Sequence, residues 1–495
     1  MREAFPLQRD SVVRPNEVDA MNIRGKAMED IHARIAQLDG LFHPKSIAMV
    51  GLPRGMKMGK LFLMALKDQG FSGPIYPVHP EAGEIDGLIT YARLSDIPKP
   101  VDLAIVLVPH SQALAVIKEC AANKVKGAVL FTAGYKETGT EKGKALEAEL
   151  TRIARDSGMR LLGPNCMGIY CPSSGLSFSP ELSRKPGPVG FISHSGSLGG
   201  IICRVGPQKG IHFSKVVSLG NECDVTGADL LAYLGNDPET GVIGAYVEGI
   251  KHGPSFLEAL KKASEKKPVV VWKVGLTPEG SRAAASHTGA MGGSRQIWNG
   301  VVRQGGAIAV EGVDRILDTL MGFSLLPADM GDRVAVVSGP GGLAVAAAEA
   351  CADNGLRLAE LSAETRSELA EIIPPTGTSI QNPVDVGLSA SLKIHIYTRA
   401  MKILAADPGV DALLTIGRGT NEKSKRIYMD AMIQTQKQSK KPFLAANIPG
   451  FGLNFSTPLC QNGVPFFETV EAALAIYAKV LQYQRWKERH AQMAG

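Results

Sequence analysis

Aromatic side chains are scarce in this 495-residue chain, at 6% of its residues, and that leaves little stacking surface for single-stranded nucleic acid. Long apolar runs are absent too. The strongly apolar run Leu103 to Val108, like the others, is far too short to cross a bilayer, so no membrane span is expected. The opening residues, MREAFPLQRD, carry charge where a signal peptide needs its apolar stretch, so secretion is not expected. The seven cysteines (120, 166, 171, 203, 223, 351 and 460) include no Cys-x-x-Cys pair, and no histidine stands at zinc-ligand spacing. That excludes a disulfide framework; no metal site is expected, and reduced cysteines in a cytoplasmic protein are the expectation. Charge of one sign is also missing. Lys plus Arg (54) exceeds Asp plus Glu (48) by only 6, with no basic run, which suits a small anionic ligand and argues against DNA or RNA.

What is present is glycine (55 residues) and a 44% hydrophobic content, enough for several cores at about 150 residues per domain. Short β-rich apolar runs alternate with amphipathic helical patterns, the signature of parallel sheets covered on both faces. The expected strands begin with Ser46–Val50, Leu103–Val108, Ala128–Thr132 and Arg160–Leu162, separated by helices over Lys60–Gln69, Ser111–Asn123 and Lys144–Asp156. The rhythm restarts after Gly187-Pro188, with strands Val189–Ser193, Val216–Leu219, Val242–Val247 and Pro268–Val274. It restarts again after Leu326-Pro327, with Arg333–Ser338, Ala412–Ile416, Pro442–Ile448 and Val464–Phe467, and a long helix from Val470 to about His490 closes the chain. The fold class is therefore α/β, with three tandem open parallel-sheet modules over 41–176, 177–328 and 329–495. A helical arm over 1–40 precedes them, with Met28, Ile31, Ile35 and Leu38 on one face.

Open parallel sheets bind ligands where strands end, so the residues just after each run carry the information. In the first module SIAMVG (46–51) is followed by LPRGMKMGK. Gly51 lets the chain turn, and Arg54, Lys57 and Lys60 bring positive charge to a helix start, as a phosphate or pyrophosphate would require. The spacing is not that of a Walker loop, and an ordinary strand–helix turn with solvated lysines fits as well. Val108-Pro109 ends a second strand as a rigid extended edge. GPNCMG (163–168) offers tight turns and Asn165, while Cys166 is expected to be packed rather than reactive.

In the second module Val189–Ser193 runs into SHSGSLGG (193–200). Ser195, Gly196 and Ser197 sit where a helix begins, so hydroxyls, free N–H groups and the helix dipole would converge on an anion. A plain serine N-cap is the alternative. Alternation turns His194 away from its two serine neighbours. RAAASHTGAMGG (282–293) reads as a small, Gly-rich loop able to move, carrying one imidazole, His287. An imidazole is a competent nucleophile toward phosphoryl groups, and Glu248, at the end of a buried strand, is the candidate carboxylate to orient it. At this point phosphorylation of His287 is one option among several. In the third module GPGGLA (339–344) matches a dinucleotide fingerprint, with Glu360 at the right remove. A single match in so glycine-rich a chain is read here as a close helix–strand contact, with NAD a minor alternative.

In order, SIAMVG, GPNCMG, SHSGSLGG, SLGNECD (218–224), YVEG (246–249), RAAASHTGAMGG and NPVDVG (382–387) resemble the α-subunit architecture of the NDP-forming acyl-CoA synthetases. The ADP-forming acetyl-CoA synthetase type is the nearer likeness, and succinyl-CoA synthetase α a shorter, more distant one. The resemblance spans about residues 38–480, and RAAASHTGA is its most specific segment. It implies a Rossmann-like CoA-binding domain followed by two flavodoxin-like ligase domains. It implies His287 as the phosphorylated histidine, Glu248 as its partner, and Ser195, Gly196 and Ser197 as the phosphate cradle. CoA would contact Gly51, Leu52, Pro53, Arg54, Val108, Pro109 and Asn165. The implied substrates are a small carboxylic acid, CoA, phosphate and ATP/ADP with Mg²⁺.

No segment resembles an ATP-grasp domain, and residues 388–495 are needed to complete the third module. A separate ATP-grasp β subunit, in an α2β2-type assembly, is the expectation. A CoA-binding regulatory protein without turnover is the alternative, and an NAD-dependent oxidoreductase the weaker one. An intact pair of His287 and Glu248 argues against a pure binder.

Overall fold

A computed structural model describes residues 36–81, 83–288, 293–387, 390, 392–417, 419–450 and 456–494. The expected arm over 1–40 lies almost wholly outside the described residues. Its end, residues 36–42, is helical and buries Leu38, Leu41 and Phe42, with Phe42 stacked 4.7 Å from Tyr233.

The first sheet is all parallel, in the order Ile75–Val78, Ile47–Val50, Leu103–Val106, Gly127–Leu130 and Arg160–Leu162. Every residue of IAMV, LAIV and GAVL is buried, because helices cover both faces. These include Met58–Gln69, His110–Ala122 and Glu141–Ser157. The second sheet runs Ile308–Ala309, Val269–Lys273, Val242–Val247, Val189–Ser193, Phe213–Ser218 and Gly168–Tyr170, the last strand antiparallel. The third runs Arg357–Leu358, Arg333–Ser338, Ala412–Ile416, Phe443–Ala446 and Phe466–Phe467, and Val384–Asp385 also pairs with Arg333–Ser338.

Each sheet is wound outward from its first long strand. After Ile47–Val50 the chain adds Ile75–Val78 on one side and then Leu103–Val106 on the other; Val189–Ser193 and Arg333–Ser338 are flanked in the same way. Loops leaving two such neighbouring strands part in opposite directions and open a crevice at the strands' carboxyl ends. Gly51 and Val108, Ser195 and Glu248, and Gly339 and Gly417 mark the three crevices.

The modules interlock rather than follow one another as beads. The strand Gly168–Tyr170, on the first-module side of the expected boundary at 176, pairs with Phe213–Ser218 of the second sheet. Beyond it, residues 161–164 and 221–225 form a seam. Asn221 donates to the Pro164 carbonyl (2.9 Å), Cys223 to Gly163 (2.9 Å) and Val225 to Leu161 (3.2 Å). The closing helix, Val470–Ala494, packs on Val313–Leu325 of the second module and Gly341–Asp353 of the third. One apolar cluster consequently runs from Leu38 to Leu481.

Gly220 is the tightest point of the seam. Its φ is +60°, and a Cβ there would lie 2.1 Å from the Pro164 carbonyl oxygen, so a side chain is excluded by both backbone conformation and space. Gly220→Ala is expected to cost about 3 kcal/mol or more. Gly70→Ala, at φ +83° with open space around it, should cost only about 1 kcal/mol. Urea and thermal unfolding midpoints of the two variants measure the difference.

Candidate active site

The second crevice is built from the ends of Val189–Ser193 and Val242–Val247. Ser195 caps the helix Gly196–Val205: its Oγ accepts from the Leu198 N–H (3.4 Å) and lies 3.2 Å from Ser197 Oγ, while Ser193 Oγ donates to the Ser195 carbonyl at 2.6 Å. Small residues are required here because the first module is so close. A Cβ on Gly196 would fall 2.4 Å from Met167 Cγ, and the Met167 N–H donates to Ser218 Oγ at 3.0 Å. The helix's first N–H groups, which have no partner within the helix, therefore start beside the GPNCMG loop.

Glu248 is 3% exposed and its peptide is held from both sides. Its N–H donates to His194 Nδ1 (2.9 Å), and its carbonyl accepts from Lys273 Nζ (2.9 Å), which also donates to the Val274 carbonyl. Burial pushes the Lys273 ammonium down to about 8, partly offset by Glu248. Tyr246 hydrogen-bonds Glu248, and burial together with that carboxylate pushes its phenol up.

The segment expected to be a loop is helical. Pro278–Thr288 forms one helix that takes in the alanines and the backbone of His287, consistent with the high helix propensity of RAAAS. The side chain of His287 and residues 289–292 lie outside the described part of the structure. Ala284 is buried against Gly275, and the Cβ position of Gly275 is 3.5 Å from the Ala284 Cβ and 3.5 Å from the Glu248 carbonyl oxygen. The helix bearing His287 thus passes near the Glu248 peptide at Ala284, with Gly275 between them, and it also packs on the first module's turn Lys136–Thr138.

Behind the crevice, on the opposite sheet face, lie residues of the SLGNECD segment to which sequence reasoning assigns no role. Glu222, at φ +55°, accepts from His194 Nε2 (3.2 Å) and from the Gly227 N–H (2.6 Å). Burial would raise its carboxyl, but His194 and Gly227 hold it below the usual range. Its neighbour Asn221 reaches the other way, donating to Glu137 (2.5 Å) and Glu147 (2.9 Å) of the first module. A cavity of about 210 Å³ adjoins this group, lined by His194, Glu222, Lys251, His252 and Phe256 among others. The alternation in Ser-His-Ser signalled that His194 faces away from the serines. Nothing in SLGNECD signalled the opposed reach of Asn221 and Glu222.

In the first crevice Gly51 (φ +85°) lies directly against Val108, whose Cγ1 would be 2.6 Å from an added Cβ. The helices Met58–Gln69 and His110–Ala122 begin there, at Lys57 and Pro109, without a side-chain cap. Leu52 is fully buried and Pro53 half-buried, whereas Arg54 is exposed and donates to the Glu81 carbonyl at 2.8 Å. Lys60 pairs with Asp86 at 2.6 Å, which leaves Lys57 as the more available cation of that loop. Asn165 (φ +59°) stands on the seam, its Nδ2 3.5 Å from Asn221 Oδ1. Cys166 is packed as expected: it is 4% exposed, and burial pushes its thiol up to about 12. In GPGGLA a Cβ on Gly341 would approach Asp385 to 2.6 Å, and Glu360 is exposed, consistent with a close helix–strand contact.

Comparison with known proteins follows the same division. Residues 45–172 match a CoA binding domain family, 186–323 a succinyl-CoA ligase like flavodoxin domain, and 334–421 a ligase-CoA domain. The chain is 38% identical to the α subunit of ADP-forming acetate–CoA ligase II of Pyrococcus furiosus, over 90% of this chain and 98% of that one. It is 34% identical to ADP-forming acetate–CoA ligase I of Archaeoglobus fulgidus, over 91% of this chain but 65% of that longer one. Among solved structures, dinucleotide-forming acetyl-coenzyme A synthetase 1 of Candidatus Korarchaeum cryptofilum, in complex with phosphate and ADP, superimposes with a TM-score of 0.83. That match has 32% identity and covers 92% of this chain and 99% of that one. The chain belongs to the family of ADP-forming acetate–CoA ligases and aligns almost end to end with their α subunits.

Proposed function

We propose that this chain is the α subunit of an ADP-forming acid–CoA ligase, working with a partner chain that carries an ATP-grasp domain and binds ATP/ADP with Mg²⁺. One observation carries the reading. A helix start suited to phosphate (Ser195, Gly196, Ser197), a buried carboxylate (Glu248) and the helix bearing His287 converge on the switch point of one sheet, with the CoA-binding module's Met167 loop against them. The subunit naming of the Pyrococcus furiosus relative supports a partner chain, and an α2β2-type assembly is part of the same proposal.

In the acyl-CoA-forming direction, His287 attacks the γ-phosphorus of ATP, and ADP leaves. Glu248 stabilises the charged phosphoimidazole. A carboxylate oxygen of the acid then attacks that phosphorus, the N–P bond breaks, and an acyl phosphate forms over the N–H groups at Ser195–Ser197. The CoA sulfur attacks the acyl carbon, the C–O bond breaks, and phosphate departs into the same cradle. CoA would lie along Gly51, Arg54 and Val108-Pro109, and its thiol end would reach the phosphate past Asn165. Leu52, fully buried, would shape that loop through packing while its backbone faces the ligand.

Incubation of the reconstituted pair with γ-labelled ATP and Mg²⁺ should give acid-labile, base-stable phosphate on His287. His287→Ala should abolish the label, and Glu248→Gln should slow its formation about 100-fold. A pair that forms acyl-CoA equally well with His287→Ala would refute the proposal.

Lys273 adds a pH signature. Its amine is charged below about 8 and neutral above it, so the positive charge beside Glu248 is present at neutral pH and lost as pH rises. Phosphohistidine formation should fall on the alkaline side with an inflection near 8, and Lys273→Met should remove that inflection. A stopped-flow or quench-flow rate profile across this range decides it.

A further inference from the structure

The parallel pairing of Val189–Ser193 with Val242–Val247 ends where the two chains part. The last main-chain bond is His194 N–H to the Tyr246 carbonyl, at 3.2 Å. In a continued ladder the next N–H, that of Glu248, would find a carbonyl. It finds a side chain instead: His194 Nδ1, at 2.9 Å. A nitrogen that accepts this bond carries no proton, so the ring proton is on Nε2 and is donated to Glu222 Oε2 at 3.2 Å. The other carboxylate oxygen of Glu222 is taken by the Gly227 N–H at 2.6 Å. His194 and Glu222 are 7% exposed each, so both bonds are largely shielded from bulk solvent.

We infer that His194, backed by Glu222, is a positioning residue that fixes the peptide of Glu248 and so aims its carboxylate at the phosphohistidine site. The inference rests on the reading of Glu248 and His287 given above. His194 points to the sheet face opposite Ser195, among cavity-lining residues such as Ile192, Ala245 and Val247, so it acts through the backbone of Glu248 and not on the reacting atoms. The bond polarity is specific. The group at 194 must accept toward Glu248 and donate toward Glu222, at opposite ends of a planar unit. A glutamine amide meets that requirement; leucine fills the space but meets neither demand, and asparagine is one methylene too short to span both partners.

The test uses the reconstituted pair and γ-labelled ATP. His194→Leu should slow labelling of His287 about ten-fold or more, as expected for a displaced catalytic group, with KM for ATP changed less than about two-fold. His194→Gln should recover to within about three-fold of the natural rate, and His194→Asn should not. Glu222→Gln, which keeps one acceptor where two are needed, should slow labelling several-fold. Equal rates for His194→Leu and the natural protein overturn the inference, and so does a glutamine variant as slow as the leucine one. Should His194→Leu fail to fold, the contrast between the glutamine and asparagine variants decides the same question. A ¹⁵N-histidine spectrum of the unmodified chain should place the ring proton on Nε2, and the opposite tautomer overturns the brace whatever the activity. A natural protein that never labels would instead sink the phosphohistidine reading, while the spectrum still judges the hydrogen-bond chain.

Discussion

The rest of the structure depends on the hydrogen-bonded seam between residues 161–164 and 221–225. In the proposed reaction a CoA thiol held on one module must reach the acyl carbon of an acyl phosphate held on another, and keeping the two sites within bonding reach is worth many orders of magnitude in rate. The seam supplies it with main-chain bonds, the least deformable kind available. It places Met167 against Gly196 and Asn165 beside Asn221, so the far end of the first crevice and the helix start of the second are neighbours by construction. A flexible linker between two otherwise identical modules would lose that register.

Charge is organised around the same line. Arg160, buried, pairs with Asp224 across the seam at 2.9 Å. Glu137 and Glu147 of the first module converge on Asn221, and Lys251 donates to the Glu222 carbonyl at 2.6 Å. Burial alone would raise the Glu137 carboxyl, but the N–H groups of Gly134 and Tyr135 and the Asn221 amide hold it below its usual range. A half-buried carboxylate answered by several donors tolerates little displacement, because each lost donor leaves its charge less compensated. Two adjacent residues thus face opposite ways, Asn221 toward the CoA-binding module and Glu222 toward His194 and Glu248.

Most strands were legible because buried parallel strands are short, apolar and bounded by turn residues: Val189–Ser193, Val242–Val247 and Arg333–Ser338 were expected at the residues where they occur. The strands that went unseen are short, polar or at edges. Gly168–Tyr170 and Val384–Asp385 exist by virtue of their partners, and two or three residues carry no periodicity. The crevice residues were legible because a switch point forces glycine and hydroxyl residues into the turn. The His194–Glu222 chain was not, since it joins residues 28 positions apart through a positive-φ turn that spacing does not encode. The helix Pro278–Thr288 was misread for a different reason: small residues serve a loop and a helix equally well, and only packing separates them.

That ambiguity bears on the chemistry. In the proposed reaction His287 must serve two places, beside Glu248 and at the partner's nucleotide, so its helix must be held lightly. Of the side chains described on Pro278–Thr288, Pro278, Glu279, Arg282, Ala283 and Ala285 are exposed, while Ala284 is buried against Gly275. Burying one methyl group contributes only about 0.8 kcal/mol. A leucine at 284 would anchor the helix more firmly and hinder its release; a glycine would weaken the helix itself. Alanine on glycine keeps the element formed while this one contact stays small, a balance suited to a phosphoryl carrier on a helix in the proposed reaction.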